Sequence, residues 1–573
     1  MKRLAFALRP LAAIASGAGM ALLFPPHSVG KLVWLVLVPI LIALWSLGEK
    51  RRKRKAFFLG YLTGAAFFLP NLVWLRSVTD VGWVALSLYL ALFPAAWALF
   101  ASTLGNPWRG GRKEGLFSAP LYAFSCAATW AALEWLRGWL FTGFGWNPLG
   151  VAFHETPVFS QAADLLGVTG LSMLPIFMQA VLVQVCVRRV SQYHSAVLRR
   201  QVAMGCVVLV MGAAYAYGVW RLTTSKQGES IRLRALLVQL NIPQEAARPL
   251  WTAEEVHIGY EDDTLAAVEK AGSKQPDWIM WPETALTGRI LRADDGTWGM
   301  WQQNVDTIDR IREKSPATIV FGVNETESEA HDGMLMMKED AKEWNSLAIL
   351  PSDGQLQTFR KHHLVIFGEY IPLIDKLPFL GKIYEQQSGV EFGGGLSVGE
   401  SLEPLTAEVK GQNFGVIPTV CFEDTVPRLM RKFVREGPQV IVNVTNDGWF
   451  KETEGAAQQF ANARFRAIEF RRPMIRCANT GVSAAVTPVG TTLHPDGGKP
   501  QELRDEKGSH FTRGTLMAEV DIPKNPPVTL YARIGDWGVI LLGVFSIVGM
   551  SLRKKEAPEA PEEPEAPEED EEK

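Results

Sequence analysis

The sequence predicts an α/β protein in which an eight-helix transmembrane bundle carries a soluble domain of two packed sheets with helices outside. Three observations predict it. Residues 1–222 are largely apolar, 223–528 have the mixed texture of a globular domain, and 556–573 are almost only Glu, Pro and Ala. Basic clusters fall at every second connection between apolar runs. In the middle part, strand and helix patterns recur together, which argues α/β layers. The expected boundaries are 1–222 for a transmembrane region of seven helices, 223–528 for the soluble domain, 529–555 for an eighth transmembrane helix and 556–573 for a disordered acidic tail.

Apolar runs near 7–24, 31–47, 56–75, 82–104, 116–137, 165–187, 202–222 and 531–552 approach or reach the roughly 20 residues that span a bilayer. A second run follows the first almost at once, with no clear small-residue cleavage site before it. A membrane helix is therefore preferred to a cleaved signal peptide. The loop charges set the orientation. Lys2-Arg3, Lys50 through Lys55, Arg109 with Arg112 and Lys113, Arg188-Arg189 with Arg199-Arg200, and Arg553-Lys554-Lys555 alternate with connections poor in Lys and Arg. Both termini are then cytoplasmic, and the soluble domain lies outside the cytoplasm. The tail holds ten acidic residues against Lys573, so the overall charge of −2 conceals a body of about +7. A Pro/Glu/Ala tail of this kind is expected to be disordered.

Two features of the apolar half exceed what spanning needs. Glu134 and Arg137 put opposite charges three residues apart at a span end, where an interfacial pair with a snorkelling arginine is the plain reading. Phe141 to Pro148 forms an aromatic, Gly-rich outer loop, readable as an aromatic belt or as the wall of a lipid-access groove. Five cysteines form neither a disulfide framework nor a metal-ligand spacing.

In the soluble domain, strands are expected at 232–240, 278–281, 318–323, 346–350, 414–420, 439–444, 474–478 and 516–520. Helices are expected at 252–271, 300–314, 426–436 and 458–471. The stretch 382–399 reads as a long loop, a common setting for lids and binding arms.

Three strand ends deliver ionisable side chains. Cys421 ends an apolar strand and enters a helix or turn, where a helix N-terminus favours thiolate. A thiolate is a nucleophile for a covalent acyl intermediate; taken alone, Cys421 reads sooner as a structural cysteine capping a core strand. Glu283 ends Trp281-Pro282-Glu283, where a carboxylate reached through an apolar strand needs a partner. It can act as general base to a thiol. Lys361 follows Gln357 to Arg360 and can stabilise an oxyanion. Singly, Glu283 reads as a cap or turn residue and Lys361 as a solvated lysine.

Together, Trp-Pro-Glu, the run Arg360 to Pro372, Cys-Phe-Glu at 421–423 and Asn443 to Phe450 resemble the nitrilase superfamily with its Glu-Lys-Cys triad. More narrowly the chain resembles the apolipoprotein N-acyltransferase family. His363 to Pro372, Arg464 to Glu469, Arg476 to Gly481, Glu134 to Gly138 and Thr142 to Asn147 carry that resemblance, which covers nearly all of the chain but the tail. It implies a nitrilase-like αββα sandwich on a membrane bundle. It also implies transfer of an acyl chain from a membrane phospholipid to the α-amine of the diacylglyceryl-cysteine of apolipoproteins. The implied triad is Glu283, Lys361 and Cys421, with Glu369 orienting the lysine, Glu423 and Phe422 beside the nucleophile and Trp251 on a substrate arm, after an inserted-looking stretch at 245–250. No metal or other cofactor is expected, nor nucleic acid, and the chain is expected to act as a monomer. The implied location is the bacterial inner membrane, with the catalytic domain periplasmic.

Two positions depart from the family pattern: Phe422 replaces a common tyrosine, and Gln459 a common histidine. The alternatives are a membrane-anchored amidase using water as acceptor, an inactive lipoprotein-binding scaffold and a transporter. Eight spans argue against the first, an intact triad against the second, and ionisable residues mainly at span ends against the third.

Overall fold

The computed structural model describes residues 2–109, 115–186, 194–225, 228–244, 250–332, 334–366, 368–371 and 395–553, with 379, 381, 382 and 385 between the last two segments. Arg112, Lys113, Arg188, Arg189, Lys554, Lys555, Pro372, residues 245–249, most of the 382–399 loop and the 556–573 tail lie outside the described residues.

Among the described residues, the domain after the apolar half holds fourteen strands: β1 (Ser230–Gln239), β2 (Trp278–Met280), β3 (Arg289–Ala293), β4 (Trp298–Met300), β5 (Thr318–His331), β6 (Met334–Met337), β7 (Glu343–Leu350), β8 (Gln357–Arg360), β9 (Leu405–Val409), β10 (Gln412–Val420), β11 (Gln439–Thr445), β12 (Met474–Ala478), β13 (Ala484–Val486) and β14 (Gly514–Pro523). Strands β1–β8 and β14 form a nine-stranded sheet, and β9–β13 a five-stranded one. In the first, β1, β2 and β5 run parallel; in the second, β10, β11 and β12 do.

Side-chain alternation along β1 builds two interiors. Leu233, Ala235 and Leu237 point between the sheets, where they meet Val416, Val420, Val442 and Val444 of the second sheet. Leu236, Val238 and Leu240 point the other way, onto Val256 and Tyr260 of helix Ala253–Ala271 and Ile308 and Ile311 of helix Gln302–Arg312. The outer layer of the second sheet is helix Gly455–Phe470, whose Phe460, Ala463 and Ala467 are buried in the same cluster as that sheet. The layers are thus helix, sheet, sheet, helix. The helix expected over 426–436 is shorter: it consists of Pro427–Met430 and a single 3₁₀ turn, Arg431–Phe433. The short strands β3 and β4 carry no sequence pattern strong enough to predict them.

The opposite face of helix Gly455–Phe470 belongs to the apolar half, where Ala461, Phe465 and Ile468 join its core. All eight apolar runs are helical in whole or large part. Among the described residues, two helical segments, Asp80–Ser102 and Val197–Thr224, are long and apolar enough to cross a membrane; Ala163–Leu171 with Met173–Cys186, bent by 57°, is a third if the pair is one span. Small residues set close helix contacts: a Cβ on Gly60 would stand 2.6 Å from Pro94 O, and one on Gly64 2.6 Å from Ala91 Cα.

Gln458 joins the halves. Its Oε1 accepts from Trp74 Nε1 (3.1 Å), Trp146 Nε1 (2.8 Å) and Asn147 Nδ2 (3.1 Å). Its Nε2 donates to Pro25 O (2.9 Å) and Asn71 O (3.1 Å). Glu134 and Arg137 correct the snorkelling expectation, since both are buried. Glu134 accepts from Trp130 Nε1, Leu149 N and Ser172 Oγ, while Arg137 donates to Trp146 O. The pair fastens the outer loop to the helices.

Candidate active site

Glu283, Lys361 and Cys421 follow the carboxyl ends of β2, β8 and β10, the usual position for sites on parallel sheets. The chain after β2 stays hydrogen-bonded to β5 through Trp281 N to Val320 O (2.8 Å) and Gly322 N to Pro282 O (3.0 Å). It then turns at Thr284, where φ is +51°. Residue 322 must be glycine here, because a Cβ would lie 2.4 Å from Glu283 Cα. Glu283 is thereby held inward and buried. Its Oε1 accepts from Asn345 Nδ2 (2.7 Å) and its Oε2 from Asn446 N (2.8 Å). Burial pushes the Glu283 carboxyl above the ordinary range; Lys361 opposes that rise and Glu369 adds to it.

Lys361 is fully buried. Its Nζ donates to Glu369 Oε1 at 2.8 Å and stands 3.8 Å from Glu283 Oε1. Burial alone would favour the neutral amine, but Glu369, Cys421, Glu283 and Glu423 together outweigh it and keep the lysine charged. Glu369 also accepts from Asn345 Nδ2 (3.0 Å) and Val365 N (2.9 Å).

Cys421 has φ +57°, in the left-handed region that β-carbon residues avoid. Asn443 Nδ2 donates to Cys421 O (2.9 Å) and Thr419 Oγ1 (3.0 Å), and so braces the turn. The thiolate expectation is corrected. Only a five-residue 3₁₀ turn, Cys421–Thr425, follows the sulfur. Burial drives the thiol well above its ordinary pKa, Glu283 adds to that, and Lys361 opposes it. The resting group is a thiol whose hydrogen-bond partner is the Glu283 carboxylate.

Glu423 is a buried strut. Oε1 accepts from His362 N and His363 N, and Oε2 from Val420 N, each at 2.8 Å. It ties the lysine segment to the nucleophile's strand. Burial raises its carboxyl to about 7 against the pull of Lys361. The Phe422 ring lies over Lys361 Nζ, 5.7 Å from its centroid, and meets His363 edge-on. Trp251 packs, half-buried, on the core beside Leu240 and Gly259, whereas the other six predicted residues converge.

Sequence reasoning missed Asn345, the shared donor to Glu283 and Glu369. A lone Asn in the apolar run Trp344 to Leu350 was the available signal. It also missed the support of the nucleophile loop. Arg476 donates to both Asp447 oxygens (3.0 and 2.9 Å) and to Asp424 Oδ2 (3.2 Å), all three side chains being fully buried. Gln459, one of the departures, donates to Asp424 Oδ1 at 3.1 Å. Among the described residues, the one group of metal-ligand types is His494, Asp496 and Glu519, and there Arg232 already pairs with both carboxylates. A cleft opens beside the loop that follows Cys421, between Phe422 and His363 on one side and Trp146 and Glu134 of the apolar half on the other.

Comparison with known proteins agrees with this division. Residues 16–181 match the apolipoprotein N-acyltransferase N-terminal domain, and residues 237–523 match carbon-nitrogen hydrolase. An apolipoprotein N-acyltransferase of Geobacter metallireducens is 30% identical over 95% of this chain and 95% of its own length. One from Rhizobium rhizogenes is 31% identical over 85% of this chain and 87% of its own. A solved amidase from Nesterenkonia sp. covers 52% of this chain and 92% of its own at 16% identity, with a TM-score of 0.31, too loose a likeness to add to the layers described. Near-full-length similarity, both domain matches and the convergence of a carboxylate, an ammonium and a thiol agree: the chain belongs to the apolipoprotein N-acyltransferase family.

Proposed function

We propose that the chain N-acylates lipoproteins at a membrane surface through a thioester on Cys421. The acyl donor is a membrane phospholipid, and the acceptor is the α-amine of a diacylglyceryl-cysteine. The observation that carries this reading is the joint placement of Cys421, Glu283 and Lys361, with the loop after Cys421 lining a cleft whose far wall is the apolar half.

The chemistry follows from the contacts. Glu283 takes the Cys421 proton as sulfur attacks the donor's ester carbonyl. Lys361, kept charged by Glu369, faces the oxyanion of the tetrahedral intermediate. Collapse breaks the C–O bond, Glu283 gives its proton to the departing lysophospholipid, and the acyl group stays on sulfur. The lipoprotein amine then attacks the thioester, Glu283 accepts a proton from it, and the C–S bond breaks to give an amide. The proton returns to sulfur. The thioester keeps the acyl potential of the ester, so no step calls for a nucleotide or a metal.

The same reading takes all eight apolar runs as spans of the bacterial inner membrane. Both termini are cytoplasmic and the catalytic domain lies on the periplasmic side, an orientation supported by the alternating basic clusters. The boundaries proposed are 1–222, 223–528, 529–555 and 556–573. In this reading Trp251 begins a substrate arm that leaves its core seat when substrate binds. The test is the N-terminal mass of a lipoprotein in cells whose sole copy carries Cys421→Ala: it should lack the amide-linked acyl chain. Persistence of that chain with no second acyltransferase present would sink the proposal.

A further inference from the structure

The cleft beside the loop after Cys421 contains a cation that the mechanism above does not use. Arg466, on helix Gly455–Phe470, lines it and is 2% exposed. Its Nε stands 3.0 Å from Glu469 Oε2, yet neither atom has hydrogen-bonding geometry with any partner. One Nη reaches Thr425 O at the long distance of 3.5 Å. The other Glu469 oxygen is anchored by Val168 N at 2.8 Å. A guanidinium has five donors, and this one is left with spare capacity at the cleft.

Arg428 stands on the rim. It donates to the carbonyls of Gly138 and Thr142. Those bonds clamp a loop in which Phe141, Thr142 and Gly143 all have positive φ (52°, 70° and 84°). The loop presents Phe141, 75% exposed, outward, where an interfacial aromatic side chain belongs. Of the cleft's acids, Glu134 accepts from Trp130, Leu149 and Ser172, and Asp536 accepts from Tyr531 while its charge also acts on Arg428. Trp135, Phe144 and Trp146 supply an apolar wall. A buried guanidinium with free donors, an aromatic wall and an acyl-accepting cysteine next to Phe422 suit a ligand that is both anionic and apolar.

We propose that Arg466, with Arg428 on the rim, seats the phosphodiester of the donor phospholipid, its acyl chain lying along Trp135, Phe144 and Trp146 with the ester toward Cys421. Arginine suits this role because its planar fork matches phosphate oxygens. The acceptor's diacylglyceryl-cysteine carries no phosphate, so the seat also separates donor from acceptor. The inference rests on the phospholipid-donor reading above.

The test uses the full chain in detergent micelles and reads acyl-thioester on Cys421 by mass spectrometry in a single turnover. Two donors are compared: a diacyl phospholipid and a phosphate-free p-nitrophenyl ester of the same acyl chain. Arg466→Gln should reduce loading from the phospholipid about tenfold or more, by raising the half-saturating concentration, and leave loading from the nitrophenyl ester nearly unchanged. Arg466→Lys should recover part of the loss, and Arg428→Gln should show a smaller loss in the same sense. Equal losses with both donors, or none with the phospholipid, would overturn the proposal. If Arg466→Gln does not fold, the Arg428→Gln comparison decides by the same criterion. Inorganic phosphate that competes as well as the phospholipid would make this a free-phosphate site and also overturn it. Wild-type protein that loads from the nitrophenyl ester but from no phospholipid would instead overturn the donor reading on which the inference rests.

Discussion

Lys361 pairs with Glu369 at 2.8 Å, while Glu283 stands 3.8 Å from the same ammonium. The lysine therefore has a counter-ion that is not the base. In the proposed mechanism this leaves Glu283 free to exchange a proton with Cys421 while Lys361 keeps its charge.

Glu369→Gln should separate those roles. Without its counter-ion, Lys361 should move onto Glu283 and weaken the base. Loading of Cys421 should fall about 10²–10³-fold, the scale of losing one electrostatic stabiliser. Single-turnover thioester formation measures it. Wild-type rates in a folded Glu369→Gln protein would remove Glu369 from the account.

Asn345 donates from one nitrogen to Glu283 and Glu369, at 2.7 and 3.0 Å. Asn345→Leu should lower activity about 10–100-fold by letting the two carboxylates repel without a shared donor. Asn345→Asp should move the acid limb of the pH–rate profile to higher pH, because a third carboxylate raises the pKa of Glu283 further. An unmoved profile would assign Asn345 a purely structural part.

The pH dependence of loading follows from Glu283. Burial raises its pKa, so the base is protonated, and loading slow, up to a pH above the ordinary carboxylate range. Loading should then rise with pH through that raised value. A rate already at its plateau near pH 4 would contradict this.

Stability should run in the opposite sense. Burial lifts Glu423 from 4.5 to about 7 and Asp424 from 3.8 to about 7. A folded-state pKa above the unfolded one means that the native state holds the extra protons. Each contributes on the order of a few kcal/mol, full below the unfolded values and lost as pH rises to about 7. Thermal midpoints should fall between about pH 4 and 7, and Glu423→Gln should flatten that fall. A midpoint that climbs through the same range in the wild type would refute the assignment.

Gln458 predicts a stability effect with little chemistry. Gln458→Leu leaves the Trp74 and Trp146 indole N–H groups buried without their acceptor. Each such group costs about 1–3 kcal/mol, so the melting temperature should drop clearly. The activity of the folded fraction should change little, because Gln458 touches none of the triad. Full activity loss at an unchanged melting temperature would show that the joint acts on the chemistry.

Strand ends were legible because burial leaves a plain mark: Trp278 to Trp281 and Phe414 to Val420 are apolar runs that stop at an ionisable residue. Two things were not legible. One was partnership, since the Asn in β7 signals a buried polar group but not that it bridges Glu283 and Glu369 across the sheet. The other was electrostatic sign at Cys421. A helix after the cysteine argued for thiolate, but the segment is one 3₁₀ turn and carboxylates surround the sulfur. Glu134 and Arg137 failed for a related reason: spacing showed two charges at a span end, and only packing showed both inside.

The central claim is a covalent acyl group on Cys421. The direct measurement is mass spectrometry of the Cys421 peptide after purified protein meets a phospholipid with an isotope-labelled acyl chain and no acceptor. The account predicts one labelled acyl chain per protein on Cys421, none in Cys421→Ala, and release of the label as an amide when a diacylglyceryl-cysteine peptide is added. Label transferred to the peptide by Cys421→Ala, or with no thioester forming in the wild type, would contradict it.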